Sequence, residues 1–428
     1  MPSLTARSGS WFRPPSTRNA ATVAAGVGVV LFAAAWALLH TGFWTHFQIV
    51  DTPVYQAYGD AMLAGRTPYR DFAVEYPPGA LPVFVLPSFA AAADYRHVFE
   101  LLMFLCGGAA VVVVAFTLSA VGASARRLYA GVGFVALAPL ALGSVVLTRY
   151  DLWPAALAAG ALAALAAGRD RVAFGTLGAA VAAKAYPLVV LPVAVVYVAR
   201  RGGRREGAVA LGVFAAVLAA IVVPWAVLSP GGVADSVRSQ LGRPLQIESL
   251  GASLLLAAHQ LGVYDPTVVS GSGSQNLAGP LPDALATVGS ALLVIALLAV
   301  WALFATGPAT FERLLTASAA SVGAFVAFAK VVSPQYLIWL VPLVPAVARR
   351  AGLAAGAVFG AALVVTQLWF PSRYWDVVAL EPVGWLVLAR DLLLVALFAV
   401  LVYALARTRD DPDTGSDPVT RVSRAPSS

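Results

Sequence analysis

Apolar runs of about 20 residues, the length a helix needs to cross a bilayer, recur from one end of this chain to the other, and nothing else in the sequence constrains the fold as strongly. They fall near residues 20–40, 97–122, 128–147, 152–168, 172–184, 186–199, 207–228, 284–305, 313–332, 336–348, 351–369 and 385–406. The expected fold class is therefore all-α: a polytopic membrane protein with about 12 transmembrane helices, in a range of roughly 10 to 13. Segments 172–184, 186–199 and 336–348 are short enough to be hairpin halves or broken helices. With 60% hydrophobic and 11% charged residues, a chain of this size has too few charges to cover a water-soluble surface.

Orientation follows from the arginines. Arg126-Arg127, Arg169 with Arg171, Arg200-Arg201 with Arg204-Arg205, Arg313, Arg349-Arg350 and Arg407 with Arg409 all fall on one side of the alternation, which the positive-inside rule makes cytoplasmic. Residues 1–19 form a polar cytoplasmic segment carrying Arg7, Arg13 and Arg18. The apolar run after them exceeds a signal-peptide core of roughly 7 to 15 residues, so it reads as an uncleaved anchor. The membrane domain covers 20–406, and its long connections, 41–96, 229–283 and 370–384, face outward. The tail 407–428, rich in Asp, Pro, Ser and Thr, is expected to be disordered and cytoplasmic. The chain is thus placed in the plasma membrane as a multi-pass protein with both termini inside.

Several function classes drop out. The net charge of +7 sits in short clusters between spans, a pattern of topology and not of nucleic-acid binding. Cys106 is the single cysteine and lies in an apolar run, as a small buried hydrophobe does. His40, His46, His97 and His259 lack ligand spacing, and there is no phosphate loop and no nucleophile elbow. No cofactor and no metal are implied, and no coiled coil or soluble domain suggests an obligate protein partner.

Charge inside or beside a bilayer is costly, by roughly 2.5 to 3.5 kcal/mol at a helix centre, and four places carry it. Thr148-Arg149-Tyr150-Asp151 stands at an outer helix end, where Arg149 and Asp151 can pair with each other or bind a polar ligand. Lys184-Ala185-Tyr186-Pro187 and Lys330-Val331-Val332-Ser333-Pro334-Gln335-Tyr336 mark breaks between short apolar halves, and Lys184 and Lys330 are the only lysines in the chain. Proline at such a break frees backbone groups, which persist in a membrane only against protein or a wet cavity. Arg390-Asp391 lies inside the last span; adjacent helix positions do not face each other, so each is expected to have another partner.

The first outer loop is unusually polar. Val50–Gly79 contains Asp51, Asp60, Asp71 and Glu75 among tyrosines and prolines. Asp51-Thr52-Pro53 fits a helix cap followed by proline in the first turn, and a carboxylate just outside the membrane equally suits a general base. Gly65-Arg66-Thr67-Pro68-Tyr69 reads as the turn ending that helix. Glu75-Tyr76-Pro77-Pro78-Gly79 reads as a stiff entry to an apolar segment, 79–93, that lies in the interface or re-enters the membrane.

Taken in order, Asp51-x-x-Val54-Tyr55, Gly65-x-x-Pro68-Tyr69-x-Asp71-Phe72, Tyr76-Pro77-Pro78, Lys184-x-Tyr186-Pro187 and Ser333-Pro334-Gln335-Tyr336-x-x-Trp339 resemble the polyprenyl-phosphate-mannose-dependent mannosyltransferases. These form glycosyltransferase family 87 of the GT-C superfamily and include actinobacterial enzymes that extend phosphatidylinositol mannosides. The resemblance covers 20–405. It implies an inverting transferase that moves a hexose, mannose by analogy, from a polyprenyl-phosphate donor to a lipid or envelope-glycan acceptor at the outer face. By that analogy Asp51 is the catalytic base. Lys184, Lys330 and Arg149 would steady the departing phosphate, a charge-stabilising task that needs no metal. Tyr55, Glu75, Tyr76, Asp151, Gln335 and Tyr336 would contact substrate, while Asp60 and Asp71 take solvated positions. Many members have Gln-x-Asn where this chain has Arg149-Tyr150-Asp151, and some carry histidine near Gln335 or Tyr336. Two rival readings remain: a flippase or transporter of a lipid-linked sugar, which also uses broken helices and buried charge, and a non-catalytic scaffold for envelope assembly.

Overall fold

The computed structural model describes residues 15–408. Residues 1–14 and 409–428, which hold most of the expected cytoplasmic segment and disordered tail, lie outside them. Eleven of the twelve apolar segments are mainly helical, and 336–348 is a run of short turns. The helices are α1 (Pro15–Leu38), α2 (Thr52–Leu63), α3 (Tyr95–Ala120), α4 (Ala125–Leu142), α5 (Leu152–Ala166), α6 (Asp170–Ala183), α7 (Leu191–Gly202), α8 (Arg204–Leu228), α9 (Pro230–Leu241), α10 (Leu250–Gln260), α11 (Pro280–Thr306), α12 (Phe311–Phe328), α13 (Arg349–Trp369) and α14 (Gly384–Arg407). Among the described residues eight of these, α1, α3, α4, α8 and α11–α14, are long and apolar enough to cross a membrane. The expected twelve crossings thus divide into eight full-length helices and four shorter ones: α5, α6, α7 and the run of turns Pro334–Ala346.

The short ones matter most. At 1.5 Å per residue, helices of 14 and 15 residues such as α6 and α5 extend about 21 to 23 Å, well short of a hydrocarbon core of roughly 30 Å. Their ends at Asp151 and Lys184 meet in a recess of the bundle, where the Asp151 side chain is fully buried and that of Lys184 keeps 15% of its surface exposed.

Burial grades across the bundle. In α12, 83% of the apolar window is buried, against 6% in α8. The sequence explains the difference, because Ala317-Ser318-Ala319-Ala320-Ser321 is a run of small residues that lets neighbouring backbones approach closely. The helix packs against α11 and α14. On α8, Leu211, Val223 and Val227 face outward, as lipid-facing side chains do.

The two ends of the bundle differ in chemistry. At one end arginines close the helix termini: Arg127 donates to the Ala346 carbonyl at 2.8 Å, Arg200 to Gly307 at 2.6 Å, and Arg313 to Leu405 and Leu303 at 2.8 and 2.7 Å. Terminal helix carbonyls lack intrahelical partners, and a guanidinium supplies both donors and favourable charge there. At the other end the long connections meet.

One of those connections holds strands that the helical pattern did not announce. Leu245–Gln246 (β1), Thr267–Gly271 (β2) and Ser274–Ala278 (β3) form an antiparallel sheet in the order β1-β3-β2, with Leu245 opposite Leu277 and Val268 also opposite Leu277. The β2–β3 turn is Ser272-Gly273, both with positive φ, as tight hairpins require. The sheet is tied to the bundle where the Gln246 amide donates to the Lys330 carbonyl at 3.0 Å.

Across the recess runs Pro78–Phe89, a chain of short helical turns with Ala80, Leu81, Val83 and Phe84 buried. Gly79 is required at its start: a Cβ there would fall on the Ala182–Ala183 backbone. The Gly79 carbonyl accepts from Trp153 Nε1 at 3.1 Å, so the first outer loop is fastened just beside Lys184.

Candidate active site

Asp51 occupies the cap position of α2, and Pro53 stands in the first turn, yet the Asp51 carboxylate caps nothing. It is held instead by the guanidinium of Arg149 and accepts a hydrogen bond from the Tyr55 hydroxyl at 3.3 Å. Tyr55 lies four residues on, hence on the same helix face. The Asp51 side chain keeps 25% of its surface exposed while Arg149 keeps 9%. A charged pair sits at the floor of the outer loop with the acid toward solvent.

Beneath the pair lies an aromatic layer. Tyr55 stacks on Phe84 with centroids 4.5 Å apart, and its edge meets Tyr76 and Tyr150 at 5.6 and 5.8 Å. Tyr76 and Tyr150 approach at 5.2 Å, and the Tyr69 hydroxyl donates to the Tyr76 carbonyl at 2.6 Å. Burial raises the Tyr76 hydroxyl above its ordinary range, so it acts as a hydrogen-bonding phenol. Tyr69 adopts a positive φ of 66°, which marks the expected turn as tight.

The second pair corrects an expectation. Arg149 and Asp151 do not pair with each other: Asp151 accepts from Lys184 Nζ and from Trp339 Nε1, both at 2.6 Å. The backbone explains it, because Arg149 is extended whereas Asp151 already begins helical geometry, which sends the two side chains apart. Trp339 lies between Tyr186 and Tyr336, at 4.0 and 4.1 Å. The Lys184 ammonium stands over Tyr150, Trp339 and Tyr336 at 4.7, 5.3 and 5.5 Å. One oxygen of Asp151 and the Tyr186 hydroxyl are buried without a partner.

The remaining expected residues are scattered. Lys330 donates to the Leu241 carbonyl at 2.8 Å, bracing the end of α9 and standing apart from the Lys184 and Arg149 pairs. Glu75 is exposed, and Gln240 donates to its carbonyl at 3.3 Å. Gln335 is half-buried and accepts from Ser333 at 2.9 Å. Asp71 is exposed, as expected, and there pairs with Arg70 at 2.9 Å and accepts from the Thr67 amide at 2.7 Å. Arg70 holds its carboxyl down at about 2.

Arg390 and Asp391 each have the further partner expected of them, Glu248 for Arg390 and Ser253 for Asp391, and the unexpected feature is a contact between the two. They pair with each other at 2.7 Å, because a long guanidinium stem wraps round the helix and both groups are fully buried. Arg390 also donates to the Glu248 carbonyl at 2.6 Å. Glu248 itself, a residue that no motif in the sequence singled out, is 2% exposed and accepts from Gln246. Burial pushes its carboxyl up to about 7, against the opposing pull of Arg390.

A partly exposed carboxylate, a guanidinium beside it, and a second buried cation lined by aromatic rings form a set able to accept a proton and to steady an anion in one place. Residues 74–334 match the model of glycosyltransferase family 87. The chain belongs to glycosyltransferase family 87. As a family member it is a membrane glycosyltransferase, and the matched span includes Arg149, Asp151, Lys184 and Glu248 and begins after Asp51. No curated protein matches the chain.

Proposed function

We propose that this glycosyltransferase moves a hexose, mannose on the sequence resemblance, from a polyprenyl-phosphate donor to a lipid or envelope-glycan hydroxyl at the outer face of the plasma membrane, with inversion. The observation that carries this reading is the Asp51–Arg149 pair: an acid free of its capping duty, partly open to solvent, in contact with a cation. The two bundle ends support the sidedness. Arginines gather at the end opposite Asp51, as cytoplasmic ends do.

In the reaction, an Asp51 oxygen takes the acceptor's hydroxyl proton while the acceptor's own oxygen attacks the anomeric carbon. The bond from the anomeric carbon to the phosphate oxygen breaks, and its electron pair leaves with the polyprenyl phosphate. Arg149 serves both partners. Its Nε is buried without an acceptor, so the guanidinium that holds Asp51 still has a donor for a phosphate oxygen. Lys184, already held by Asp151, contributes charge from the wall of the recess, and Tyr55 and Tyr76 line the floor on which a sugar would lie.

The test is transfer by the purified protein in proteoliposomes, given radiolabelled polyprenyl-phosphate mannose and an envelope lipid extract. Label should move to a lipid or glycan product with wild type and not with Asp51→Asn. Donor movement across the bilayer with no product would indicate a transporter, and equal products from both proteins would sink the assignment of Asp51.

A further inference from the structure

We propose that Arg243, which no motif in the sequence marked, is a direct ligand for the phosphate of the lipid-linked donor; the proposal rests on the polyprenyl-phosphate reading above. Arg243 stands two residues before β1, next to backbone pinned twice, by the pairing of Leu245 with Leu277 and by the bond from the Gln246 amide to the Lys330 carbonyl. Its terminal nitrogen donates to Ser274 Oγ at 2.8 Å, and its Nε is buried with no acceptor. The guanidinium is thus fixed in place with donors unused.

The charge pattern around it is uneven. Arg149 has Asp51, Lys184 has Asp151 at 2.6 Å, and Arg390 has Asp391 at 2.7 Å. Among the described residues Arg243 has no carboxylate. The Ser274 that holds it follows Gly273, where a Cβ would stand 3.7 Å from the Glu75 carboxylate, and the Lys330 carbonyl that holds Gln246 opens the segment leading to Tyr336; Arg243 thus borders the recess, and its charge acts on the Lys184 ammonium and the Tyr336 hydroxyl. Two neighbouring cations with one carboxylate between them repel, and an anion arriving there relieves the repulsion. A phosphate oxygen pair matches the planar fork of a guanidinium better than a point-like ammonium, and the donor phosphate is the one anion that the proposed reaction brings to this face. Lys330, one of the three basic residues expected in this role, donates to the Leu241 carbonyl.

The experiment measures binding of a polyprenyl phosphate to the full chain in nanodiscs. Arg243→Gln should weaken binding at least tenfold, about 1.4 kcal/mol. Arg243→Lys should recover part of the loss. Arg238→Gln, an exposed arginine paired with Asp235, should bind as wild type, and binding of the uncharged polyprenol should be the same in all four proteins. Wild-type affinity in Arg243→Gln, or an equal loss for polyprenol, overturns the proposal while leaving the donor reading intact. Displacement by inorganic phosphate at equal potency overturns a lipid-linked ligand. If the wild-type chain binds no polyprenyl phosphate, the donor reading falls and this inference falls with it.

Discussion

Arg149, three residues before the bundle helix α5, closes on Asp51, at the start of the loop helix α2, and so joins the first long connection to the bundle through an ion pair. Removing the acid and removing the cation should therefore have different signatures. Asp51→Asn should lower kcat by about 10²–10⁴, the usual contribution of a general base, with donor affinity retained. Arg149→Gln should lower kcat and also raise the donor KM, because it loses both the positioning of Asp51 and a phosphate contact. Steady-state kinetics on both variants checks this, and an unchanged donor KM in Arg149→Gln would remove the phosphate contact from the mechanism.

Asp151 and Lys184 should behave as a structural pair. With Asp151 fully buried, Asp151→Ala leaves the ammonium uncompensated, a loss of about 3–5 kcal/mol for a buried pair. Trp339→Phe keeps the ring between Tyr186 and Tyr336 but removes the Nε1 donor, at a cost of about 1–2 kcal/mol. Thermal unfolding in detergent should rank wild type above Trp339→Phe above Asp151→Ala; the reverse order of the two variants would contradict the assignment.

How far the sequence led can be seen in these same residues. The helices were legible because apolar length is a local signal, and eight of the expected segments are helices long enough to cross a membrane among the described residues. Pairing was not legible. Arg149 and Asp151 are two positions apart and look like partners, yet the change from extended to helical backbone between them assigns each to a distant residue. Glu248 and Arg243 escaped because the strand between them, β1, is two residues long, too short to show alternation. Lys330 was marked by its proline break and by being one of two lysines, signals that carry no side-chain direction, and its ammonium donates to the Leu241 carbonyl.

Gly79 tests whether the loop must be fastened beside Lys184. A methyl group at this position meets the Ala182–Ala183 backbone, which cannot rotate away as a side chain can. Gly79→Ala should destabilise by about 1–3 kcal/mol, as overpacking does, and should lower transfer by shifting Pro78–Phe89 and the aromatic layer above it. Thermal unfolding and transfer assays together check it. Full activity with full stability would mean that the segment is free to move.

Glu248 gives a pH dependence with a definite sign. Its carboxyl titrates near 7 in the folded chain against an ordinary 4.5, with burial raising it, Arg390, Gln246 and Arg149 lowering it, and Asp391 raising it further. Between those values the folded chain binds a proton that the unfolded chain has released, so stability falls as pH rises through the window and levels off above about 7. Glu248→Gln stays neutral throughout and keeps a carbonyl to accept from Gln246. It should match wild type near pH 5 and exceed it at pH 8 by on the order of 1–3 kcal/mol. Thermal unfolding of both proteins across that range decides the matter: a variant less stable than wild type at pH 8 would mean that Glu248 is ionised in the fold and is needed there as the counter-charge of Arg390 and Arg149.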